Sequence, residues 1–158
     1  MTTPSKPTRG VISSEPVQRG THHRKSDLLV ELMTITDQAL ISITREGLNV
    51  RIIEDLARHL QLTATHIRDL VGISSATYTR MVREHRRLSP LSSDRAVRYT
   101  TLWKHAVDVW GSEESAREWL NSPEIALGGQ TPLSYADTEV GARHVEALMG
   151  QIAYGIVT

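Results

Sequence analysis

The sequence predicts an all-α protein, a helix-turn-helix bundle followed by a small helical domain. Three observations carry this. Beyond residue 26, apolar residues recur at three- and four-residue spacing. Ser, Thr, Asp or a Ser-Pro pair precedes these runs and Gly follows most of them, the marks of helix start and stop. No segment alternates apolar and polar residues as a half-buried strand would.

Residues 1–26 stand apart, with Pro4, Pro7, Pro16, Gly10 and Gly20 set among Ser, Thr and basic residues. They are expected to form a disordered basic arm, of the kind that lies along DNA or is a plain tail. From Asp27 the pattern turns helical through Leu28, Leu29, Leu32 and Ile35, with Ser26 or Asp27 as N-cap. Ala39, Leu40 and Ile43 continue that helix or form a second one, stopped by Gly47. Ile52, Ile53, Leu56, Ala57 and Leu60 give an amphipathic helix, and Thr63 caps a short one carrying Ile67, Leu70 and Val71 up to Gly72. Ser74 opens a helix with Tyr78, Met81, Val82 and His85 on one face. Ser89-Pro90 then starts a long helix through Ala96, Val97, Thr100, Trp103, Ala106, Val107 and Trp110, ended by Gly111. Ser112, with Glu113 and Glu114 in the first turn, begins a helix to about Leu120. After loop signals at Asn121-Ser-Pro and Leu127-Gly-Gly, Thr131-Pro132 starts a single turn. Thr138 caps a last helix with Val140, Val145, Leu148, Met149 and Ile152, closed by Gly155. The expected organisation is an arm at 1–26, a helix-turn-helix domain at 27–100 and a second domain at 101–158.

Charge divides the chain in the same way. The formal net charge is zero, yet residues 64–100 carry seven arginines against Asp69, Glu84 and Asp94, and residues 101–158 carry three basic groups against eight acids. A basic segment ahead of an acidic one suits two different partners, and equally suits charge scattered over solvated helix faces. There is no cysteine, hence no disulfide or thiolate, which fits a reducing cytoplasm. No apolar run approaches the roughly 18–20 residues of a membrane helix.

Residues 62–87, with 63–80 as their core, read as helix, glycine turn, helix, the layout whose second helix enters the DNA major groove. If Tyr78, Met81 and Val82 face the core, Ala76, Arg80, Arg83 and Arg87 fall on the opposite face at 100° per residue. Arg pairs bidentately with guanine or clamps phosphate. Thr79 borders this stripe, and Ser75 and Thr77 stand near the helix N-terminus, where hydroxyls donate to phosphate. The alternative reading is an αα-hairpin with a solvated arginine face.

The C-terminal third reads Arg117-x-Trp119-Leu120, Pro123, Leu127-Gly128-Gly129, Thr131-Pro132-Leu133, Thr138, Gly141, Val145, Leu148 and Ile152-x-Tyr154-Gly155. In this order the motifs resemble the toxin-binding domain of the Xre/MbcA/ParS antitoxins. The front half is similar to the DNA-binding part of the same family through Gly47-Leu48, Thr77, Arg80, Leu88-Ser89 and Ser93-Asp94-Arg95. The resemblance implies a Cro/repressor-like helix-turn-helix and a partner toxin of the RES-domain type, similar to ADP-ribosyltransferases and acting on NAD⁺. It implies that the C-terminal domain occludes the toxin's cleft, and that the antitoxin dimerises and represses its own operon. Leu127, Gly128, Gly129, Gly141, Arg143, Tyr154, Gly155, Ile156 and Val157 are the expected toxin-binding residues. The short apolar end after Gly155 either projects toward the partner or folds back on the last helix. Trp103, Trp110, Trp119 and Leu120 are expected in the core, and Gly128 and Gly129 in a turn of positive φ.

Catalysis is not expected. No His-x3-His or His-Glu-x-x-His spacing, phosphate-binding glycine loop or nucleophile elbow occurs. Neither a cofactor nor a metal is called for. The competing functions are a stand-alone helix-turn-helix regulator with a C-terminal dimerisation domain, and an adaptor whose arginine face binds acidic protein.

Overall fold

The computed structural model describes residues 26–155. The basic arm up to residue 25, and Ile156 and Val157 of the expected toxin-binding set, lie outside the described residues. Within them the chain is helical throughout, with only two isolated β-bridges, Asn49 with Arg87 and Glu124 with Gln130.

Short polar side chains start the helices. Asp27 caps α1 (Leu28–Thr34) by accepting from the Leu29 and Val30 amides, and Thr36 caps α2 (Asp37–Glu46). Ile35 lies between them in extended backbone, so the apolar run from Leu28 to Ile43 is two helices. Gly47, at φ +94°, ends α2. Next come α3 (Ile52–Leu60), which has no side-chain cap, and α4 (Ala64–Val71), capped by Thr63. Ser74 caps α5 (Ser75–Arg83) through the Thr77 amide. Ser89 and Pro90 open α6 (Pro90–Trp110). The remainder is α7 (Glu113–Asn121), a 3-10 turn (Ile125–Leu127), α8 (Pro132–Tyr135) and α9 (Glu139–Ala153).

The 21-residue α6, about 30 Å long at 1.5 Å per residue, is the axis of the molecule. It buries Ala96, Tyr99, Leu102, Trp103 and Ala106, and packs against α1 to α4 as well as α7 and α9. The boundary expected between residues 100 and 101 falls inside this helix, and one continuous apolar core runs from Leu29 to Met149. The expected tryptophan core is present. Trp103 is 1% exposed, and Trp119 stacks on the half-buried Trp110 with ring centroids 4.4 Å apart.

α9 lies beside α6 and runs the same way. Arg98 Nε is 3.6 Å from Glu139 Oε2, and seven residues further along each helix His105 Nδ1 is 3.8 Å from Glu146 Oε1. The N-terminal end of α6 therefore joins α5, while the exposed Tyr154 lies toward the C-terminal end of α6.

Candidate functional site

The helix-turn-helix is α4, Gly72 and α5. Gly72 makes the turn. Its φ of +74° suits only glycine readily, and the flexible end of Arg95, from α6, lies over the open side that its missing Cβ leaves. Behind α5, two short segments hold the unit closed. Leu88 N–H donates to the Leu48 carbonyl at 2.8 Å, and Leu48 N–H donates to the buried Ser93 Oγ at 2.9 Å. Gly47 belongs to this contact, because a Cβ there would overlap the Leu88 carbonyl oxygen.

Of the expected DNA-reading residues, Ser75, Ala76, Thr79, Arg80 and Arg83 are exposed, and Thr77 is half-buried. These six line one shallow concavity on α5. The Ser74 hydroxyl donates to Thr77 Oγ1 at 2.9 Å and Thr79 Oγ1 donates to the Ser75 carbonyl at 3.0 Å, so the polar edge is ordered without DNA. Arg83 meets Glu84 at 3.3 Å on the surface.

Arg87 departs from its expected place on the outward stripe. α5 stops at Arg83 and His85 turns the chain at φ +52°, so the 100° periodicity no longer applies at residue 87. The Arg87 guanidinium instead donates to the Gly47 carbonyl at 2.9 Å. His85 likewise leaves the helix. Val82, expected to face inward, is 43% exposed in the last turn of α5. Tyr78 and Met81 do pack against the core.

The C-terminal residues sort into buried supports and exposed surface. Leu127 is 2% exposed, and Gly141 is buried with the Tyr135 carbonyl where a side chain would stand. Gly128 and Gly129 have the expected positive φ, +68° and +80°, on an exposed turn closed by Glu124 N–H to the Gln130 carbonyl at 3.0 Å. Arg143, Tyr154 and Gly155 are exposed. From Gly141 to Tyr154 is about 20 Å along α9, so this set spans a broad face and no single cleft gathers it.

Two exposed apolar side chains of the C-terminal half, Val140 and Ile125, are not among the expected binding residues. Val140 is 68% exposed because five residues, a rotation of 140°, separate it from the buried Val145. It edges a cleft of about 330 Å³ that Tyr135, Thr138 and His144 also line. Ile125, in the 3-10 turn, is 96% exposed.

The two halves are joined by polar contacts that spacing could not reveal. Arg117 Nε donates to the His59 carbonyl at 2.8 Å and Asn121 Nδ2 to the Leu60 carbonyl at 3.3 Å, so α7 satisfies open carbonyls at the end of α3. On the other side of His59, Nε2 lies 2.8 Å from Asp27 Oδ2. Burial opposes ionisation of Asp27, but hydrogen bonds from His59 and the Val30 amide, with the charges of His59 and Arg58, hold its pKa below the ordinary 3.8. No three metal-ligating side chains cluster among the described residues, and no helix there is long and apolar enough to cross a membrane.

Residues 105–155 match the model of the antitoxin Xre/MbcA/ParS C-terminal toxin-binding domain, and residues 39–99 match the antitoxin Xre-like helix-turn-helix domain. The chain is 33% identical over 120 residues to the antitoxin Xre of Photorhabdus laumondii, covering 75% of this chain and 81% of that protein. It is 29% identical over 118 residues to the antitoxin Xre of Yersinia enterocolitica, covering 74% and 80%. A shorter similarity, 35% over 63 residues and 40% of each chain, links it to the antitoxin Xre of Pseudomonas putida.

Proposed function

Because the chain belongs to the Xre/MbcA/ParS antitoxin family, we propose that it neutralises a RES-type toxin that consumes NAD⁺ or uses it for ADP-ribosylation, and represses the operon encoding both. The observation that carries this reading is the succession along one chain of a helix-turn-helix with an exposed arginine-bearing face and a toxin-binding domain.

In this reading Ser75, Ala76, Thr77, Thr79, Arg80 and Arg83 meet operator DNA, the Ser75 and Thr77 hydroxyls donating to phosphate, Thr79 bordering the contact, and the arginines donating to phosphate or guanine. Arg87 acts from behind, by holding the Gly47 carbonyl. A homodimer would present two α5 helices to successive major grooves, about 34 Å apart.

The toxin meets the C-terminal domain through Gly128, Gly129, Arg143, Tyr154, Gly155, Ile156 and Val157, with Leu127 and Gly141 shaping that surface from within. The acids of residues 101–158 complement a cationic NAD⁺-binding cleft. The domains are those of a regulatory protein whose work is binding.

Co-expression with the product of the adjacent reading frame, followed by purification and measurement of cellular NAD⁺, tests this. The expected result is a stable complex, with NAD⁺ falling only when the partner is made alone. Neither complex nor NAD⁺ loss would overturn the toxin assignment and leave a stand-alone regulator with a C-terminal dimerisation domain.

A further inference from the structure

α5 is attached to the body of the protein in a way its sequence does not announce. None of its residues is fully buried, and beneath its first turn lies a charged side chain, Arg68 of α4. Arg68 Nη1 donates to Ser75 Oγ at 3.2 Å, and Nη2 donates to Thr65 Oγ1 at 2.8 Å. The guanidinium carbon stands 5.2 Å from the centre of the Tyr78 ring. Tyr78 in turn donates its hydroxyl to Glu54 Oε1 at 3.4 Å. One guanidinium plane thus joins α4 to the first turn of α5, and through Tyr78 to α3.

We propose that Arg68 is a positioning residue for DNA reading, its planar fork fixing the tilt and register of an α5 whose apolar contact is limited to partly buried side chains such as Tyr78 and Met81. This rests on the reading of α5 as the DNA-contacting helix. Arg68 is only partly exposed, its Nε is buried without a hydrogen-bond partner among the described residues, and each Nη donates to a hydroxyl of the protein itself. It therefore acts on DNA through Ser75 and Tyr78, while Arg80 and Arg83 make the contact. Lysine cannot replace it. An ammonium on one flexible stem does not present the rigid fork that reaches both hydroxyls while its cation stays over the ring.

The test compares the full-length wild type with Arg68→Lys, Arg68→Ala and Thr65→Val. Thr65→Val removes one acceptor of the fork from a residue outside the DNA-reading set and leaves the arginine in place. Two quantities are read, binding to the chain's own promoter DNA as a function of salt, and backbone hydrogen exchange of the free protein. The expected result for all three variants is operator binding weakened about tenfold or more with an unchanged salt slope. Exchange rises about tenfold in α5, while α3, α6 and α9 stay protected. Arg68→Lys that binds like the wild type, with α5 protection unchanged, overturns the proposal. A salt slope reduced by about one in Arg68→Ala, with unchanged α5 exchange, also overturns it, because Arg68 would then contact a phosphate directly. Failure of the wild type to bind its promoter would instead overturn the DNA reading itself, a result distinct from either.

Discussion

Two glycines of α9 separate what a residue does from what its motif suggests. Gly141 is buried against the Tyr135 carbonyl, whereas an added Cβ at Gly150 meets nothing within 4 Å. Gly141→Ala is expected to destabilise the protein by about 1–3 kcal/mol through overpacking. Gly150→Ala is expected to stabilise it by about 0.5–1 kcal/mol, the usual helix preference for alanine. Denaturant unfolding of the two variants checks both signs. The sequence marks Gly141 only as one member of a recurring set, because the carbonyl that excludes its side chain comes from another helix. Tyr99 offers a similar test. It is 1% exposed, its hydroxyl has no hydrogen-bond partner among the described residues, and burial pushes its pKa up to about 12. Tyr99→Phe should leave stability unchanged or raise it, since no hydrogen bond is lost and a desolvated hydroxyl is removed. Asp27 supplies the acid-side prediction. Its folded-state pKa is depressed, so its contribution to stability is complete above the ordinary value of 3.8 and lost as pH falls through the lower folded value. The stability advantage of the wild type over Asp27→Asn should therefore shrink below that pH in a series of unfolding titrations.

At the scale of the element, helix starts were legible because the chemistry of capping is local. Thr63, Ser74, Ser89, Ser112, Thr131 and Thr138 each accept the backbone hydrogen bond that their place in the sequence suggests. Ends without glycine carry a weaker mark. The apolar periodicity stops where α3 and α7 do, near Leu60 and Leu120, but His85 takes φ +52° with an ordinary side chain and nothing in composition marks that turn after Glu84. That turn is why Arg87 leaves the α5 stripe and reaches Gly47. The α5 face makes a specific prediction. Arg80→Ala/Arg83→Ala should weaken operator binding about 100-fold or more and flatten the log–log salt dependence by about two units if both arginines meet phosphate, checked by fluorescence anisotropy across a salt series. Because both side chains are exposed, thermal unfolding of the variant should match the wild type.

At the scale of the whole molecule, motifs that sequence shows far apart prove to be single contacts. Gly47-Leu48 and Leu88-Ser89 meet through the Leu88 to Leu48 hydrogen bond, and Ser93 completes the join. Their recurrence in order was readable; their adjacency needed the fold. The charge blocks likewise hinted at two partners without showing that α6 serves both halves. A chain ending at residue 110 would lose the Trp119 stack on Trp110 and the α7 groups that satisfy the carbonyls of His59 and Leu60. Such a truncation should unfold at distinctly lower temperature than the full chain, as circular dichroism would show, so point variants separate the functions more cleanly than deletions do. The most direct test of the proposal that the chain reads DNA with α5 and holds a toxin with its C-terminal half is to titrate the wild type and Arg80→Ala/Arg83→Ala, in parallel, with promoter DNA and with the purified partner. The account predicts that the variant loses DNA binding and keeps the wild-type affinity for the partner. Loss of both in a variant that remains folded, or loss of neither, would contradict it.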